Sequence, residues 1–124
     1  MRVTLIPVTY RDTNGIQTHG ELRLDGELTT EQRQAVKAAL LGGREFVPGQ
    51  VGLSHYGSTE CASFPGPHDH GWHTLLLDAA VVVPCDERCW TGAGVPDFGG
   101  TPEQFLTKLQ AAAAAGWTPA IHGT

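Results

Sequence analysis

At 124 residues, with 40% hydrophobic and 17% charged residues and a formal net charge of −5, the chain has the size of one domain and enough apolar content for a core, which excludes a disordered tail. Eight scattered Lys and Arg against 13 carboxylates lack the basic face that nucleic-acid binding requires, and no run nears the roughly 18 apolar residues of a membrane span. Cys61, Cys85 and Cys89 are too few for a disulfide framework, and Met1 to Pro7 lacks a leader's apolar run, so a soluble, cytoplasmic protein is expected.

Val3 to Tyr10 is rich in β-branched residues and predicts a strand. Asn14-Gly15 then signals a hairpin, because both residue types tolerate positive φ. The return strand alternates, with Ile16, Thr18, Gly20, Leu22 and Leu24 on a packed face and Gln17, His19, Glu21 and Arg23 on a wet one. His19 and Glu21 on that wet face are a candidate functional pair, although the pattern equally describes an ordinary solvated strand.

Thr29 with Gln32 three residues on has the spacing of a capping box. The helix it opens carries Val36, Ala39 and Leu40 inward and ends at Gly42-Gly43. Thr101, Pro102 and Gln104 repeat that start for a second helix, which turns Phe105, Leu109 and Ala112 inward and stops at Gly116. Between the helices, Phe46 to Leu53 allows only short or irregular strand. Thr74 to Val83 reads as a strand buried on both faces, interrupted only by Asp78. The predicted fold class is α+β: residues 1–124 form a single two-layer domain, a small, mainly antiparallel sheet covered by two helices, with long Gly/Pro-rich loops at 54–73 and 84–100.

Those loops hold the residues that could carry function. Tyr56, Phe64, Trp72, Trp90 and Phe98 form a candidate binding surface, since recognition sites favour loops and are enriched in Trp and Tyr. His68, His70 and His73, with Cys85 and Cys89 beyond the strand, are candidate metal ligands, because imidazole and thiolate are the donors zinc prefers. Three family signatures come near these residues. His68-x-His70-x-x-His73 is similar to the signature of metallo-β-lactamase-like hydrolases, with Trp72 where the metal-binding Asp belongs. His68-x-His70 is similar to the first cupin motif, with Thr74 where the Glu belongs. His55 followed by Pro84-Cys85 and Cys89 is similar to zinc-dependent nucleobase deaminases, with Gly57 where the proton-shuttling Glu is required. Each lacks a residue its chemistry needs, and no other catalytic motif is present.

The function expected from the sequence is therefore a small, non-catalytic binding domain for a protein or small-molecule partner, not nucleic acid and not a membrane. The alternative is a zinc-binding domain, structural or a small hydrolase, built on the 68–73 histidines with Cys85 and Cys89.

Overall fold

The structure, a computed structural model, describes residues 2–56, 69–85 and 96–118. Strand β1 (Arg2–Arg11) forms where the β-branched run predicts and pairs antiparallel with β2 (Gln17–Leu24) from Thr4↔Leu24 to Arg11↔Gln17. The connection is wider than a two-residue Asn-Gly turn. Gly15 takes positive φ and Asn14 does not. Instead the Asp12 carboxylate accepts from the backbone N–H groups of Asn14 and Ile16, each at 2.9 Å, and holds a five-residue loop.

Helix α1 (Thr30–Ala39) and helix α2 (Pro102–Ala115) both carry the complete reciprocal cap, Thr29 with Gln32 and Thr101 with Gln104. Their buried residues, Val36 and then Phe105, Leu109 and Ala112, join Ile6, Val8, Leu22 and Leu24 in one apolar cluster. Alternation along β1 and β2 puts those four strand residues on one sheet face, so both helices cover that face. The fold is α+β, with a mixed, open sheet under two helices. Strand β3 (Glu45–Phe46) pairs antiparallel with β4 (His73–Leu75), followed by β5 (Val81–Pro84), and β6 (Asp97–Phe98) lies parallel to β2. No helix among the described residues is long and apolar enough to cross a membrane.

The expected continuous strand from Thr74 to Val83 is broken. Its two ends, β4 and β5, pair with the same edge of β1, at Val8↔Leu75 and Leu5↔Val81. Continuing the β4 register would set Asp78 opposite the buried Leu5, whereas Val81 occupies that place three residues later. A 3-10 turn, Leu77–Ala79, absorbs the difference, burying Leu77 and exposing Asp78. The Leu77 carbonyl accepts from Arg33 Nη1 of α1 at 2.8 Å. Pro7 makes the break inexpensive. Its carbonyl accepts from Leu76 N–H at 2.9 Å, so its nitrogen faces the same edge, where the turn asks for no donor. Nor is β5 buried on both faces, since Val81 is 45% exposed.

Candidate functional site

Two regions of the sheet carry the chemistry-bearing residues, and they lie on opposite faces of β1 and β4. On the helix-covered face, Tyr10, His55 and His73 form a close ring cluster. Tyr10 stacks on His73 with centroids 4.8 Å apart, His55 meets both rings edge-on at 4.3 and 4.6 Å, and Tyr56 and Phe46 close the sides.

Every nitrogen whose partner is visible in this cluster is bound to main chain. The Tyr56 N–H donates to His73 Nε2 at 3.1 Å, which puts the ring proton on Nδ1, 2.9 Å from the Gly71 carbonyl it serves. His73 is 1% exposed, and burial holds its pKa down to about 3, so it is neutral. His70 is consumed in the same way. Its Nδ1 accepts from Trp72 N–H at 3.0 Å and its Nε2 donates to the Arg11 carbonyl at 2.8 Å. His55 Nε2 donates to the His70 carbonyl, and burial lowers its pKa too. Tyr10 Oη donates to Asp69 Oδ1 at 2.6 Å and accepts from His70 N–H, and burial first, then that carboxylate, raises its pKa. A neutral imidazole has one acceptor nitrogen. In His70 and His73 a backbone N–H already occupies it.

Of the predicted ligand set, the described members His70, His73 and Cys85 are not gathered at one point. Cys85 packs with Val3 and Leu5 on the other face of the sheet, and His68 and Cys89 lie outside the described residues. Among the described residues, no group of three or more His, Cys, Asp or Glu is placed to hold a metal ion.

The predicted aromatic surface divides similarly. Tyr56 is 8% exposed and belongs to the core, its hydroxyl donating to the Glu21 carbonyl at 3.3 Å, while Phe64 and Trp90 lie outside the described residues. Phe98 is 55% exposed beside the guanidinium of Arg23, which sits 5.5 Å from the ring centroid, is itself 4% exposed and pairs with Asp25 at 3.0 Å. Trp72 is half-buried and lines a groove.

That groove, about 540 Å³, opens on the face the helices leave uncovered. Strand register builds it. Glu45, Thr74, Thr9 and His19 are successive cross-strand partners in β3, β4, β1 and β2, so their side chains form one row across four strands. Arg11 and its partner Gln17 stand in the next row, and Trp72 and Leu76 flank Thr74 at two residues on either side, on the same face by alternation. Arg44, in the turn before β3, completes the lining. Among the described residues, neither Arg11 nor Arg44 has a carboxylate within ion-pairing distance. Only Trp72 and His19 of these were candidates from sequence. The alternation on β2 pointed to His19, whereas nothing local marks Arg44 as part of the lining. No protein-family model, no curated protein and no solved structure matches this chain.

Proposed function

We propose that the chain is a small, non-catalytic binding domain whose ligand lies in the open-face groove. One observation carries this reading. Two guanidinium groups with no carboxylate partner among the described residues, one half-buried indole and a row of hydroxyl, imidazole and carboxylate groups line a single concavity. Its volume falls in the range of small-molecule sites, roughly 300–1,000 Å³, and its lining stands mostly on paired strands that hold it in place. The imidazoles of His70 and His73, by contrast, spend their hydrogen bonds on main chain.

The experiment is an amide chemical-shift screen of the labelled chain against a library of small charged, neutral and aromatic fragments. The expected result is a set of shifts centred on Thr9, Arg11, His19, Arg44 and Thr74. Shifts confined to other surfaces, around Phe98 for example, or no shifts from any fragment, would overturn the assignment.

A further inference from the structure

We infer that the groove takes an oxyanion, a carboxylate or a phosphate, carried on a flat apolar group that lies against Trp72; this rests on the groove being the ligand site. The charge balance leads to it. The chain carries 13 carboxylates against eight Lys and Arg, yet in this one concavity two guanidiniums, Arg11 from the end of β1 and Arg44 from the turn before β3, face a single carboxylate, Glu45, among the described lining residues. Neither arginine forms an ion pair with a described residue. In so acidic a chain a neutralising carboxylate is easy to supply, and none among the described residues takes this place.

Guanidinium is a planar fork whose paired N–H groups match the two oxygens of a carboxylate or two of a phosphate. Thr9 and Thr74, cross-strand partners in the row between the two arginines' segments, add hydroxyl donors. Trp72 supplies a flat, half-buried surface on the same face, which suits a ring or another planar group attached to the anion. Two positive charges against Glu45 leave one in excess, so a singly charged carboxylate neutralises the groove and a dianionic phosphate overshoots it. Carboxylate is the expected member of the class.

Four probes of one shape and different charge separate the possibilities: benzoate, phenyl phosphate, neutral benzamide and cationic benzylamine, each titrated to about 10 mM at low salt against the intact chain. Benzoate is expected to shift the groove amides, benzamide and benzylamine to leave them in place, and Arg11→Gln and Arg44→Gln each to weaken benzoate by about tenfold with unchanged thermal midpoints. Arg44→Lys, which keeps the charge and loses the fork, should recover part of that loss. Tighter binding of phenyl phosphate than of benzoate upholds the oxyanion and identifies its source as phosphate. Equal or stronger binding of benzamide or benzylamine in the groove overturns the oxyanion and leaves the groove standing as a ligand site. Silence from all four overturns both.

Discussion

Adjacent residues of the same strands look onto two different environments. Tyr10 and His73 face the helices, and Thr9 and Thr74, one residue away in each strand, face the groove. The first face is dense in groups that bind metals and move protons, and each visible partner there is already engaged inside the chain. The second carries fewer such groups, and the two arginines of its groove have no ion-pair partner among the described residues. A concentration of imidazoles is therefore a poor guide to a ligand site by itself. What decides is whether the acceptor nitrogens remain after backbone N–H groups have taken their share. In this chain His70 and His73 are cross-braces that tie the approach to β4 onto β1 and onto Tyr56.

The contrast can be broken most directly at His73. His73→Ala leaves the Tyr56 N–H buried without an acceptor and opens a cavity beside Tyr10, so urea denaturation should show a loss of about 3 kcal/mol. A loss under about 0.5 kcal/mol would mean the ring braces nothing.

Acid probes the same ring without mutation. Histidine in the unfolded chain titrates near 6.5, and His73 in the fold only near 3. Its folded pKa is depressed, so the fold binds fewer protons than the unfolded chain. Stability from this source is fully present above pH 6.5 and drains as pH falls toward about 3, reaching a loss of about 2–3 kcal/mol at pH 4.5. His55 acts in the same sense, and Asp97, whose carboxyl burial pushes up, in the opposite one. Urea midpoints from pH 7.5 to 4.5 should show this slope, and a His73→Gln background should flatten it.

Away from both regions, Thr101→Ala removes one half of a capping box and should cost about 1 kcal/mol with the groove unaffected. At the small end, Arg11→Gln and Arg44→Gln should change stability by no more than about 0.5 kcal/mol. A large effect there would show the groove to be structural and would erase the contrast.

Features encoded by a few neighbouring residues were legible in the sequence. Both capping boxes, the inward Thr18, Leu22 and Leu24 of the hairpin and the α+β class rest on local chemistry, whereas Arg23, read as wet, is 4% exposed and Ile16, read as packed, is 65% exposed. The interruption after Leu76 also had a signal, the lone Asp78, which a continuous strand would have pressed against Leu5. The groove was not legible, because it depends on register. Thr9 and Thr74 meet only once β4 has docked on β1, and Arg44 arrives through β3. Likewise the fate of His70 and His73 depended on the main-chain atoms of Arg11, Gly71, Trp72 and Tyr56, which carry no side-chain signature.

The 3-10 turn at Leu77–Ala79 also acts as a phase inverter. Three is an odd number, and side chains in a strand alternate with a period of two. Before the turn, odd-numbered His73 and Leu75 point to the helices. After it, odd-numbered Val81 and Val83 pair with Leu5 and Val3 and point to the opposite face, and Cys85 follows them there. Lengthening or shortening the turn by two residues would preserve that inversion, whereas a change of one would reverse it, sending Val82 outward and its neighbours in. The length of this segment, more than the identity of its residues, determines which of the valines end up on the side of the sheet away from the helices.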